Sequence, residues 1–421
     1  MQPLRHFPLF TLYFALAILV TYDASAENWS QYRGSNGDGK STESIGHTDW
    51  NAKKPSEVWR TETPLGFSSF SIAKNRAFTL IAKDGKEHCI ALDAATGKQL
   101  WSTALSSNDY NSGGGNAGAQ GNKGGDGPRS TPTTDGDHVY VYDSQMVLTC
   151  MDAANGEIVW QRDIVKQHAG RNIKWKNATS PVLDGSFLYL AGGGAGETYL
   201  AIDKTNGSVV WKSGDDSMTH ATPTLTTING KKQLVFFMQS GLVGVDPVSG
   251  KQAWSTFFKF ATSSAASPVV ENDHIYCSAG YGVGAGLFKA DGKTEPAEIW
   301  FKTDKALMNH WSTPVVHDGH LYGIFEFKKY GTAPLQCVEL KTGKIKWAQR
   351  GFGPGNCILV GDKLVVLSDS GELILVDAKP DSYNETGRID ALQGKCWSTP
   401  AYSDGKIYVR STFEAACYSV R

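Results

Sequence analysis

ALDAATGKQLW, residues 91–101, returns as CMDAANGEIVW at 150–160 and AIDKTNGSVVW at 201–211. In each copy an apolar strand closes on Asp (Asp93, Asp152, Asp203), Gly follows four residues later, and a second strand ends in Trp (Trp101, Trp160, Trp211). An Asp carboxylate that accepts backbone N–H groups and a Gly that takes positive φ make a tight reversal, so each copy reads as a β-hairpin. The same ending recurs in EVW at Trp59, VSGKQAW at Trp254, PAEIW at Trp300 and KTGKIKW at Trp347. In ETGRIDA, residues 385–391, Ala391 is read as taking the Trp slot.

Upstream of most hairpins lies a short strand opened by Ser/Thr-Pro: STPTT (Pro132), TSPVL (Pro181), ATPTL (Pro223), ASPVV (Pro268), STPVV (Pro314) and STPAY (Pro400). Proline cannot donate to a ladder and belongs at a strand's start or edge. A second strand follows an Asp-Gly or Asn-Asp turn, as in DGDHVYVY and SDGKIYVR. Four short strands per repeat with no helical periodicity specify propeller blades. Trp59 has the sequence of a fourth strand but no first three strands before it, whereas STPAYSDGKIYVRSTFEAACYSV at the other end has three strands and no fourth. The two fragments complete one blade. The expected fold is all-β: an eight-bladed β-propeller of four-stranded antiparallel blades, closed by pairing the N-terminal strand with the C-terminal blade. It spans residues 57–421, after a signal peptide (1–26) and an N-terminal extension (27–56).

The motif ALDAATGKQLW and its copies closely resemble the pyrroloquinoline-quinone (PQQ) type propeller repeat, over residues 57–421. That family includes quinoprotein alcohol and methanol dehydrogenases and the outer-membrane assembly factor BamB. The resemblance speaks to fold rather than activity, because its motifs are turn and packing residues. Trp59, Trp101, Trp160, Trp211, Trp254, Trp300 and Trp347 are expected to dock between neighbouring blades. The piece NWSQYRGSNGDGKS, residues 28–41, resembles the leader that precedes the propeller in many exported PQQ-repeat proteins. Its Asn36 and Asp38 lack the further acidic partners of a calcium loop and read as a glycine turn.

Arg5 and His6, an apolar run from about Phe7 to Val20 and the small-x-small sequence Ala24-Ser25-Ala26 give the form of a cleaved signal peptide. A retained anchor helix is the alternative, although the run is short for a bilayer. An exported location, periplasmic or secreted, and a mature chain without a transmembrane segment follow. No Cys follows the cleavage region, which argues against a lipid anchor of the bacterial type. A formal net charge of -1 argues against nucleic-acid binding, which needs a basic face. Of the seven Cys, Cys150, Cys337 and Cys417 fall in equivalent slots of separate blades and read as buried thiols, while Cys357 and Cys396 could pair.

Ligands of propellers usually meet the loops at one mouth of the channel. Three residues before each Ser/Thr-Pro proline, or its equivalent, stand Phe67, Arg129, Ala178, His220, Ala265, Trp311, Gly355 and Trp397. With the nearby Lys176, Asn177, His310 and Asn356, this ring offers cationic, aromatic and amide groups for an anionic or sugar-like ligand. The bland reading is that the aromatic residues plug the channel. A quinoprotein site, by family resemblance, would add calcium held by Glu, Asn and Asp, an Asp base and often adjacent cysteines. No two Cys are adjacent, and the mouth positions hold no carboxylate pair. The nearest acid is Asp126, inside the Gly-rich insertion 106–129, which is read as a flexible loop. GxSxG and HExxH are absent, and GGGAG at 192–196 precedes no helix. No catalytic residue, confident cofactor-binding residue or metal site is assigned. PQQ with calcium remains a possibility without supporting residues. The expected function is a non-enzymatic binding or scaffold module for a protein or saccharide partner, with a PQQ-dependent alcohol or sugar dehydrogenase of atypical site as the alternative.

Overall fold

A computed structural model describes residues 28–109, 127–261, 264–326 and 333–421. Residues 1–26, where a signal peptide is expected, and most of the Gly-rich insertion, with Asp126, lie outside them. Among the described residues eight sheets form, seven of four strands and one of five. Blade 1 spans 71–107, blade 2 133–163, blade 3 182–213, blade 4 224–257, blade 5 269–302, blade 6 315–349 and blade 7 356–390. Blade 8 takes three strands from 401–419 and its outer strand, Ser56–Glu62, from the other end of the chain, with Trp59 opposite Cys417. Full closure removes the two open edges that a linear array of blades would present. Among the described residues no helix is long and apolar enough to cross a membrane.

The tryptophans show how blades are held together. Each indole N–H reaches a carbonyl in the hairpin turn of the following blade: Trp59 to Ala94, Trp101 to Ala153, Trp160 to Lys204, Trp211 to Pro247, Trp300 to Leu340 and Trp347 to Lys379, at 2.8–3.1 Å. The turn glycine of that next blade lies against the ring, as Gly97 does on Trp59 and Gly250 on Trp211. Trp254 departs from the pattern. It donates to Gln233 Oε1 in its own blade, and Gln233 Nε2 donates to Gly292 of blade 5, so the glutamine relays the contact. The residue paired with the indole is small in most blades (Ala91, Cys150, Ala201, Gly244, Cys337, Cys417), which leaves room for the ring to fold across the strand.

Blade 7 corrects the sequence reading. Its hairpin turn runs over residues 378–384, and the ETG read as a turn lies inside the outer strand Glu385–Asp390, so Gly387, paired with Leu375, occupies the slot that holds Trp elsewhere, and Ala391 does not. A Cβ on Gly387 would stand 2.6 Å from Trp50, which is fully buried among residues of blades 7 and 8. The N-terminal extension thus supplies a tryptophan from outside the repeat, anchored by its backbone N–H to the Thr386 carbonyl. No pattern internal to the repeat could have announced it.

The rest of that extension threads the channel at the end formed by the hairpin turns. Trp29 pairs with Ile72 of blade 1, the Ser30 carbonyl accepts from Thr134 of blade 2, and Gln31 Oε1 accepts from Leu183 of blade 3. Arg33 is buried, and its guanidinium donates to the carbonyls of Thr313, Pro314 and Asp38. Lys40–Ser41 adds a parallel fifth strand to blade 7, and Glu43 accepts from the N–H groups of Asp404 and Gly405 in blade 8. As expected, the Asn36–Asp38 stretch is a glycine turn, with Gly37 and Gly39 at φ 69 and 78 and Asp38 Oδ1 accepting from the Lys40 N–H. All seven cysteines are buried free thiols, so Cys357 and Cys396 are unpaired.

Two predictions follow from this packing. Gly97→Ala meets both a left-handed backbone and the Trp59 ring at 2.6 Å, whereas Gly230→Ala, at φ 76, meets nothing within 4 Å. We expect a loss of about 1 kcal/mol for Gly230→Ala and about 2–4 kcal/mol for Gly97→Ala in urea unfolding. Arg33→Ala strips charged donors from three backbone carbonyls and should cost about 3 kcal/mol by the same measurement, with Arg33→Lys recovering only part because the fork is lost.

Candidate functional site

The loops that precede the innermost strands gather at the channel mouth opposite the extension. There the structure brings together six of the residues picked from sequence. Phe67 stacks on Trp397 (5.0 Å between centroids, 27° between planes), and Trp397 meets Trp311 at 4.5 Å. Trp311 meets His310 at 5.1 Å. Arg129 lies over Phe67 at 5.9 Å and donates to the Trp175 carbonyl at 3.3 Å. His220 Nε2–H donates to the Lys174 carbonyl at 3.0 Å, which fixes its tautomer. The result is a continuous aromatic row with cations along one side.

Three other candidates do different work. Asn177 is buried and ties its own loop, its amide donating to the carbonyls of Tyr142, Asp143 and Thr179 while its Oδ1 accepts from Thr179. It anchors that loop. Asn356 is buried beneath the row, where its amide donates to the Trp397 carbonyl at 2.6 Å. Lys176 points its ammonium at Gln145 Oε1, 3.2 Å away.

Sequence reasoning missed several neighbours. Trp175 stands 6.3 Å from His220 with Lys174 over its ring, and both Trp175 and Lys176 hold positive φ, 69 and 66. Two consecutive non-glycine residues in that region are costly, and they persist because Arg129 and His220 grip the same loop from below. Tyr281, half exposed, meets His310 edge-on at 5.0 Å. Asp369 accepts from Trp397 Nε1 at 2.5 Å and from Lys395 at 2.6 Å. Tyr281 and Asp369 sit in loops between second and third strands and Trp175 in the connection from blade 2 to blade 3, at positions that the repeat does not specify.

Burial pushes His220 down to about 4, helped by the charge of Arg129, and pushes His310 down to about 3, helped by His220. Both imidazoles are therefore neutral at pH 7, and the row presents rings rather than additional charge. A quinone held beside calcium calls for several hard oxygen donors around one point. The carboxylates described near the mouth are engaged elsewhere: Asp369 as above, Asp143 with the N–H groups of Gln145 and Val147, and Glu87 with the N–H of Ser144. Burial also pushes the Asp143 carboxyl up, which weakens it as a cation ligand. Among the described residues no group of three or more His, Cys, Asp or Glu is placed to hold a metal ion. The donor set does not fit that cofactor.

Trp-docked hairpins, Ser/Thr-Pro inner strands and a composite closing blade define a propeller of the PQQ-type repeat class. Within it, the chain belongs to the family described as outer membrane protein assembly factor BamB, whose model matches residues 86–349. It is 24% identical over 331 residues to the outer membrane protein assembly factor BamB of Yersinia pestis, covering 78% of this chain and 67% of that protein. Two solved structures share the fold. BamB from Moraxella catarrhalis superposes with a TM-score of 0.59 at 12% identity, covering 87% of this chain and 97% of that one. Quinohemoprotein alcohol dehydrogenase from Comamonas testosteroni superposes with a TM-score of 0.65 at 13% identity, covering 93% and 80%.

The buried histidines make a pH prediction. Their folded pKa values lie below the ordinary value near 6.5, so the stability they carry is complete above pH 6.5 and is lost as pH falls toward 4. His220→Gln should flatten the pH dependence of urea unfolding between pH 7 and pH 4 by about 3 kcal/mol relative to the parent.

Proposed function

We propose that this chain is an exported, non-enzymatic propeller that holds a protein partner on its mouth face, in an envelope process of the kind named for its BamB relatives. The observation that carries this reading is the aromatic row in which the half-exposed Tyr281 and the partly exposed Trp311 reach the surface, backed by the buried Phe67, Trp397 and His310 and flanked by Arg129 and Lys395. Trp, Tyr and Arg clustered at the centre of a face are the residues that dominate binding energy at protein interfaces. The row is pre-formed: Asp369, Asn356 and the Pro354 carbonyl fix the two indoles, so little side-chain freedom remains to be lost on binding. Phe413, 60% exposed, adds apolar surface on the same face, in the loop that also touches Gly394. Membership of the BamB family supports the scaffold reading. The dehydrogenase alternative draws on fold alone, and the carboxylates around the mouth do not favour it.

The mature protein, crosslinked in its native envelope and recovered by pull-down, should bring down a defined protein. Binding of that protein should weaken at least about tenfold with Trp311→Ala and with Tyr281→Ala. Val248→Ser, in an exposed hairpin turn on the opposite face, should leave it unchanged. Saturable uptake of PQQ with calcium, accompanied by dye-linked alcohol or sugar oxidation, would overturn the reading.

A further inference from the structure

A chain of hydroxyls runs round the channel just below the mouth. The residue before each Ser/Thr-Pro proline, or its equivalent, donates its N–H to the matching hydroxyl of the next blade: Thr399 to Ser69, Ser69 to Thr131, Thr131 to Ser180, Ser180 to Thr222 and Ser267 to Thr313, at 2.8–3.1 Å. The series is interrupted beside blade 7, where Cys357 takes the position and offers no hydroxyl, and between blades 4 and 5, where both residues, Thr222 and Ser267, do carry one. The Ser267 hydroxyl, in a residue only 6% exposed, has no hydrogen-bond partner. A buried hydroxyl left unmatched costs free energy that its neighbours elsewhere in the ring avoid.

At the break beside Ser267 lies a cavity of about 250 Å³, between the inner strands of blades 3 and 4 and the N-terminal extension. Ser267, Thr222 and Thr226 line it from the propeller, and Gln31, Tyr32 and Asn36 line it from the extension. Asp184 and Lys232 also line it, but they neutralise one another through two contacts of 2.7 and 2.8 Å. The lining thus carries hydroxyls, amides and one phenol ring beside the apolar Pro181, Val182, Leu183, Pro223 and Leu225, and has no net charge.

From this we infer a second binding site, unrelated to the mouth, for a neutral polyhydroxylated molecule of about the size of one sugar ring. The volume falls below the roughly 300–1,000 Å³ of pockets that enclose drug-sized ligands, yet far exceeds the space of a single water. An apolar occupant would desolvate the Thr226 hydroxyl and leave the Ser267 hydroxyl, already without a partner, unmatched. A charged occupant would find its counter-ion already paired. A pyranose offers several hydroxyls, each both donor and acceptor, together with an apolar face for the ring of Tyr32.

Saturation-transfer NMR and calorimetry on the mature protein would use glucose, galactose, mannose and N-acetylglucosamine, with glucuronate and glucosamine as charged counterparts. At least one neutral sugar should bind saturably at one site. Its affinity should fall at least tenfold in Ser267→Ala, which removes a hydroxyl that bonds to nothing in the protein, and binding should vanish in Thr226→Phe, which fills the cavity. Trp311→Ala should leave it unchanged. Should Thr226→Phe misfold, as judged by its melting temperature, Ser267→Ala carries the test alone. The inference is overturned if no neutral sugar binds, if binding survives Ser267→Ala at full strength, if it is lost with Trp311→Ala, or if the charged sugars bind more tightly.

Discussion

An indole seated in the turn of the next blade is the contact on which this molecule depends. Each blade is a twisted antiparallel sheet whose hairpins fix only itself. The order of blades around the ring rests on faces packed edge to edge and, at six of the eight junctions, on a directional bond from the tryptophan N–H to a turn carbonyl. That bond demands a carbonyl left outward by a tight turn, a glycine that lets the ring approach, and a small partner across the strand. The repeat ALDAATGKQLW contains all three requirements. It is a packing motif before it is anything else.

For that reason the fold was almost wholly legible. Repeat spacing, turn chemistry and the complementary fragments at the two ends lead to eight blades and to the composite blade without reference to coordinates. Legibility failed where a contact joins the repeat to something outside it. Ala391 takes the Trp slot if ETG is read as the hairpin turn, but ETG lies inside the outer strand, so Gly387 stands in the slot and Trp50 of the extension packs against it. A Gly placed four to five residues before an apolar end imitates the turn motif from inside a strand, and the longer turn at 378–384 carries no Gly to mark it.

At the mouth, position in the repeat identified which residues converge but not what each does there. Arg129, His220, Trp311 and Trp397 meet as their equivalence implied, whereas Asn177 and Asn356 turned inward to satisfy carbonyls. An amide beside a loop serves either end equally well on paper. Only the geometry of nearby unsatisfied backbone decides, and backbone geometry in irregular loops follows no period. Trp175, Tyr281 and Asp369 escaped notice for the same reason, since they lie in segments that differ from blade to blade.

The composite blade also orders events in time. Residues 56–62 pair with 414–419, and the extension before them touches blades 1, 2, 3, 6, 7 and 8. A chain emerging from its N-terminus therefore carries its clasp first and cannot fasten it until the last strands arrive. Until then the early blades wait with an open edge, a state exposed to mispairing, and the slow step is a contact between the most distant parts of the sequence. The ring is sealed by the segment that has waited longest.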